Sequence, residues 1–200
     1  RFRAAFRAAF TRTGAVPPMT SQDARAPSRP AAARRSPPIP ASAASAIAVA
    51  PSDPRVLYVS THESPLYPGT GLLRETGAGA GDRANLNLPF PAGTSGDTYR
   101  AAFDEVIVPV VEQFAPDWLI ISAGFDGHRN DPLAGLRLSS ADYADFARRL
   151  QRLVPARRVV VVLEGGYDLE ALTFSTGTTL SALLDHPYRP GSREAVTKVK

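Results

Sequence analysis

The chain has 200 residues, 44% of them hydrophobic, enough for one domain with a sizeable core, and no uninterrupted apolar run approaches the roughly 18 residues of a membrane-spanning helix. It has no cysteine, which excludes disulfides, thiolate zinc sites and a cysteine nucleophile; any metal must be held by Asp, Glu or the three histidines His62, His128 and His186. The net charge of +4 divides unevenly: residues 1–50 hold eight Arg and one acid, Asp23, for +7, so residues 51–200 carry −3 and offer no basic surface for direct nucleic-acid binding.

Residues 1–53 are dominated by Ala, Arg, Pro and Ser. Such a composition buries too little apolar surface to offset its ordering entropy, and disorder is the expectation. Being Arg-rich, Ser-containing and acid-poor, the segment also has the composition of an organelle transit peptide, and Phe2, Phe6 and Phe10 fall on one face if it is helical. The first residue is Arg and the single methionine is Met19, so the expectation is a sequence cut or mispredicted at its amino end. With no compartment signal beyond this, a cytoplasmic or nuclear protein is the default expectation.

Residues 54–186 read as the folded part and 187–200 as a tail. Arg55–Ser60 is expected to be a first strand, and residues 64–97 a long turn-rich loop without regular structure, a length that marks functional loops. Within it Gly77-Ala-Gly-Ala-Gly81 imitates a phosphate loop but follows no apolar strand. Asp97 opens a helix to about Phe114 with Tyr99, Phe103, Val106, Val110 and Phe114 on its buried stripe and a kink at Pro109. The run at 118–123 is a buried strand, and Ser139-Ser-Ala-Asp142 is a capping box opening a helix that turns Tyr143, Phe146, Leu150 and Leu153 inward. Strand 158–163 and a last helix to about Leu184 complete the order. Strands alternating with helices predict an α/β fold: a parallel sheet with flanking helices and right-handed crossovers.

All three strands end in polar loops, Ser60-Thr61-His62, Gly124-Phe-Asp126-Gly-His128 and Gly165-Gly166-Tyr167. Parallel strands place these ends on one edge, where open α/β sheets bind ligands. Glycines there let a ligand approach the backbone closely. A carboxylate and a phenol facing one crevice suit metal-assisted hydrolysis, with Asp126 as a metal ligand and Tyr167 as a hydrogen-bond donor. On spacing alone, an Asp placed like Asp126 is more often a helix cap or turn former than a ligand, His62 and His128 are more often hydrogen-bonded loop residues, and Tyr167 is open to a reading as a half-buried aromatic. Gly-x-Ser-x-Gly, the phosphate-loop lysine motif and His-Glu-x-x-His are absent.

Ser122-Ala-Gly-Phe-Asp-Gly-His-Arg-Asn-Asp-Pro-Leu-Ala-Gly-Leu136 with Leu163-Glu-Gly-Gly-Tyr-Asp-Leu169 resembles the carboxyl-terminal half of the histone deacetylase family, of the class II or bacterial amidohydrolase type. Val59-Ser-Thr-His62, Tyr67-Pro-Gly-Thr-Gly71 and Asn87-Leu-Pro89 are similar to the same family in the same order, so the resemblance runs from about Pro54 to Leu184. It implies a partial arginase-deacetylase fold and a zinc-dependent amide hydrolase acting on acetyl-lysine or an acetylated polyamine. It also implies site roles: Asp126 as a zinc ligand, Tyr167 as the oxyanion donor, and Tyr67, with Gly165 and Gly166, against the substrate. Ser60 and the backbone of Thr61 fall where the family holds a structural potassium ion, and Asp131 falls at a loop-supporting position. The family's Asp-x-His ligand pair and His-His dyad would precede the matched region, and residues 1–53 contain no histidine. The expectation is therefore part of a deacetylase, retaining no zinc and inactive as this chain; the alternative is a non-catalytic regulatory or interaction module keeping half the fold.

Overall fold

The computed structural model describes residues 5–12, 52–65 and 70–188. Five strands form one sheet in the order β3-β2-β1-β4-β5. They are β1 (Ala5–Thr11), β2 (Val56–Glu63), β3 (Asn85–Phe90), β4 (Trp118–Ala123) and β5 (Val159–Leu163). β2 pairs parallel with β3 and β4 with β5, while β1 lies antiparallel between β2 and β4. Four strands thus run one way, as the alternating pattern predicts, and β1 runs against them.

β1 corrects the reading of residues 1–53 as disordered or helical, so far as residues 5–12 are concerned; residues 13–51 lie outside the described residues. A spacing of every fourth position fits a helix, but positions an even number apart also share one face of a strand, whose period is two, as Ala8 and Phe10 do here. Ala8 and Phe10 lie on that face and are buried in the core, and Ala9 is buried on the other. Alanine is a poor strand former, yet a slot between two paired strands supplies hydrogen bonds on both sides and overrides local propensity.

β3 is a second correction, since it falls within the expected structureless loop. Its Leu86, Leu88 and Phe90 alternate inward against the core. Pro89 is tolerated because β3 is an edge strand, with one side free of a ladder among the described residues.

The segment after β3 is α1 (Gly96–Ala102), a π-helical turn at Phe103–Ile107, and α2 (Val108–Phe114). Pro109 lacks an N–H and its ring would clash with the carbonyl four residues back, Glu105, which lies inside the widened turn. The extra residue per turn rotates the buried stripe by one position. Tyr99, Phe103 and Phe114 are buried as expected, but Ile107 and Val111 take the places expected of Val106 and Val110.

α3 (Ser140–Gln151) opens with the capping box: the Ser139 hydroxyl accepts from the Asp142 amide and the Asp142 carboxylate accepts from the Ser139 amide at 2.8 Å. It buries Tyr143, Phe146 and Leu150. Phe146 stacks on Tyr99 and Phe103, tying α3 to the segment before β4. α4 (Leu169–Leu184) begins at Asp168, whose carboxylate accepts from the Ala171 amide at 2.7 Å. It packs on α3 through small residues, with Ala144, Ala147 and Ala182 in contact and Ser140 hydrogen-bonded to Ser175. The side chains of α1 to α4 enter one core with Phe10, Leu57, Val59, Leu119 and Ile121, so all four helices cover the same face of the sheet. β5, expected to be buried, has no fully buried residue. It is the other edge strand.

Candidate functional site

The carboxyl ends of β2, β4 and β5 lie on one edge, as the parallel reading requires. Ser60, Thr61, His62 and Glu63 are buried at the end of β2, and Asp126 and His128 beyond β4. Tyr167, beyond β5, is 37% exposed, so its phenol is accessible from the edge. Tyr67 lies outside the described residues.

Backbone hydrogen bonds stitch the β4 and β5 loops together: the Glu164 amide donates to Ala123 O (3.0 Å) and the Phe125 amide to Gly165 O (2.8 Å). This brings Gly165 against the Asp126 carboxylate, where a Cβ would stand 2.7 Å from Oδ2 and 2.9 Å from Cγ. Asp126 is 1% exposed, so it has little room to yield, and only glycine fits. Gly166 has φ +139°, a conformation that a side chain would strain.

Asp131 completes the clamp. Its Oδ1 accepts from the Leu133 amide at 2.9 Å, an Asx-turn of the kind an Asp-Pro pair favours, and its Oδ2 accepts from the Tyr167 amide at 2.8 Å. One buried carboxylate thus fixes both loops and sets where Tyr167 leaves the backbone. Partial burial, then the negative charges of Asp126 and Asp131, raise the Tyr167 phenol above its ordinary pKa. At neutral pH it keeps its proton and can donate a hydrogen bond.

The histidines are engaged structurally. His62 Nε2 donates to Gly71 O at 2.9 Å, and its Nδ1 is hydrogen-bonded to the Ser60 hydroxyl at 2.9 Å, so both ring nitrogens are occupied. His128 Nδ1 accepts from the Asn130 amide at 3.2 Å. Burial, and next the charge of Arg129, lower the His128 pKa, which agrees with a neutral ring. Glu63 Oε2 accepts from the Gly135 amide at 2.7 Å, anchoring the β4 loop to β2.

Among the described residues, no three His, Cys, Asp or Glu side chains converge as a metal-binding group. A catalytic zinc takes three protein ligands and an open position. Asp126 is one carboxylate, and the hydrogen bonds of His62 and His128 go to Ser60, Gly71 and Asn130, so the donors seen here do not make up such a centre. Arg7 is the element that sequence reasoning missed. The β1 register sets it between Ser60 and Ser122, and its guanidinium lies 3.9 Å from the Glu164 carboxylate. Strand alternation in Ala5–Thr11 was the available signal.

This fold and edge define an α/β domain of the deacetylase class. A model of the histone deacetylase domain matches residues 45–183. The chain belongs to the histone deacetylase family. It is 42% identical over 138 residues to "Histone deacetylase 10, chloroplastic" of Oryza sativa subsp. japonica, covering 68% of this chain and 31% of that protein. It is 43% identical over 136 residues to "Probable deacetylase" of Archaeoglobus fulgidus, covering 66% and 38%. Among solved structures it is similar to the HDA15 HD domain (TM-score 0.62, 34% identity, 70% of this chain and 40% of that one). It is also similar to the histone deacetylase Clr3 (TM-score 0.65, 34% identity, 74% and 26%). The chain therefore spans about a third of the length of the curated relatives it matches.

Proposed function

We propose that this chain is the carboxyl-terminal part of a zinc-dependent deacetylase that hydrolyses acetyl-lysine or an acetylated polyamine. The observation that supports this best is the clamp: Gly165 packed on the Asp126 carboxylate and Asp131 holding the Tyr167 amide, at the ligand-binding edge of the sheet. In this reading Asp126 is one of three zinc ligands in the complete domain. Tyr167 donates from its protonated phenol to the oxyanion that forms as the acetyl carbonyl is attacked. Gly165 and Gly166 let the substrate lie against backbone, Tyr67 lines the acyl channel, and Ser60 with Thr61 adjoins a potassium position. The chloroplastic relatives and the acid-poor, Arg-rich residues 1–50 support import into an organelle.

The chain alone is inactive in this reading, because one carboxylate supplies too few bonds for tight zinc binding and the family's His-His dyad falls outside the matched motifs. The test is metal content after dialysis against zinc, together with turnover of an acetyl-lysine peptide. We expect substoichiometric zinc and no turnover. Stoichiometric zinc, or turnover abolished by Tyr167→Phe, would refute the inactivity. A second reading, a non-catalytic module keeping half the fold, is favoured by one observation: β1 fills the middle of the sheet and brings Arg7 to Glu164 at the site edge.

A further inference from the structure

We propose that the slot between β2 and β4 is an acceptor site for a parallel strand from the remainder of a deacetylase domain, and that β1 is a displaceable stand-in for that strand. This rests on the reading of the chain as part of such a domain. The family match covers residues 45–183, which takes in β2 to β5 and leaves β1, at residues 5–11, outside it. Yet β1 holds the middle of the sheet, paired on both sides, with Phe10 fully buried in the core. The centre of the family's sheet is thus filled by a segment that is not part of the family match.

Strand direction marks β1 as the substitute. It is antiparallel to both neighbours, so β2 and β4 run parallel to each other, and β3 and β5 run with them. Two strand spacings separate β2 from β4, roughly 10 Å, which is room for one strand. Where an otherwise parallel α/β sheet carries an antiparallel strand, that strand is commonly at an edge, and here it is central. Its sequence, Ala-Phe-Arg-Ala-Ala-Phe-Thr, includes three alanines, a residue depleted in strands. What the slot supplies is a backbone ladder on both sides, and a ladder accepts any extended segment that fits between its neighbours.

Direction also decides what an occupant does at the site. β2, β4 and β5 run toward the ligand-binding edge and release their loops there. β1 runs away from it: Ala5 pairs with His62 at that edge and Thr11 with Val56 at the far end, so the residues after β1 leave at the opposite end of the sheet. A parallel occupant would end beside Ser60 and Ser122, and its next residues would enter the crevice between the β2 loop and the Asp126 loop. Arg7 fastens β1 at the same place, its guanidinium 3.9 Å from Glu164 with both side chains largely buried. One ladder cannot hold two strands, so β1 shuts the site to the rest of the domain for as long as it stays in the slot.

The test uses the full chain and, as probe, the part of the Archaeoglobus fulgidus relative that lies amino-terminal to its matched stretch, mixed in the presence of EDTA. Binding should speed hydrogen exchange at residues 5–11 by about tenfold or more, while residues 57–61 and 119–123 stay protected. The chain has no native cysteine, so Ala9→Cys with Tyr58→Cys, at register partners, ties β1 to β2 by a single disulfide. With that disulfide formed, the probe should bind about tenfold or more weakly than to the same chain after reduction, because locking β1 lowers the fraction of open slots. Comparing one polypeptide in two redox states separates the slot from any loss of folding. Failure of the probe to bind the parent and reduced chains, binding that leaves residues 5–11 protected, or equal affinity in both redox states would overturn the proposal. Neither zinc nor turnover enters these readouts: a complex with β1 displaced but no deacetylase activity once zinc is added would support the slot and refute the function proposed above.

Discussion

Phe10→Ala decides whether β1 is part of the fold. Phe10 is fully buried in the central core cluster, on a strand paired on both sides. Deleting a buried phenyl group loses its transfer free energy and leaves a cavity, together about 3–5 kcal/mol. A domain of this size holds about 5–15 kcal/mol in all, so the loss removes a large share of it. The assay is urea unfolding followed by far-UV circular dichroism, comparing midpoints at equal slope. If residues 1–53 were dispensable, Phe10→Ala would behave as a surface change, within about 0.5 kcal/mol of the parent. A midpoint shift that small would refute the placement of β1 and, with it, the pairing of Arg7 to the site edge.

Asp131→Ala should strand the Leu133 and Tyr167 amides and cost about 1–3 kcal/mol, with faster hydrogen exchange at residues 164–168 as the specific signature. Gly165→Ala should force the Asp126 carboxylate out of place and lower the thermal midpoint, whereas the same change at exposed Gly79 would meet no neighbour and act only through its backbone angle. Ser139→Ala removes the cap of α3 and should cost about 1 kcal/mol in urea unfolding. His128 has a pKa lowered by burial, so the unfolded chain binds its proton first. Its contribution to stability is complete above about pH 6.5 and is lost as the pH falls through the lower folded-state value. His128→Asn, which keeps an acceptor for the Asn130 amide, should flatten the decline of the urea midpoint below that pH.

Those elements whose cues are local were legible in the sequence. Ser139 to Asp142 is a cap that forms within four residues, and the apolar runs at 118–123 and 159–163 have no competing use. What escaped depends on partners distant in the chain. β1 is a strand because β2 and β4 leave a slot between them, and β3 because Leu86, Leu88 and Phe90 find the core from an edge position. The stripe of the segment 96–114 was read one residue out at Val106 and Val110, since a period of 3.6 cannot register a π turn. At the site, Asp126, Gly165, Gly166 and Tyr167 were identified as residues of interest, and their shared edge followed from strand direction. The link between Asp131 and the Tyr167 amide spans 36 residues and needed coordinates.

That link also ties the loops after β4 and β5 into one unit at the edge of the sheet. Asp126 is located by Gly165 and Tyr167 by Asp131, and all four belong to the loops after β4 and β5. The adjoining strands are paired residue by residue from Leu119 with Val159 to Ala123 with Leu163, so the loops start from a fixed register. α3 bridges those strands, and its capping box rests on Arg100 from α1 through a 2.6 Å ion pair to Asp142. Burial opposes the charge on Asp142, but hydrogen bonds from Ser139 and Arg100 outweigh it and lower its pKa. This support is therefore complete near neutrality and fails only as Asp142 is protonated, below the usual carboxylate range. Arg100→Ala should then cost more stability at pH 7 than at a pH below the usual carboxylate range, measured by urea unfolding at each pH. Equal losses at both pH values would mean that Arg100 acts by packing and not through the charge on Asp142.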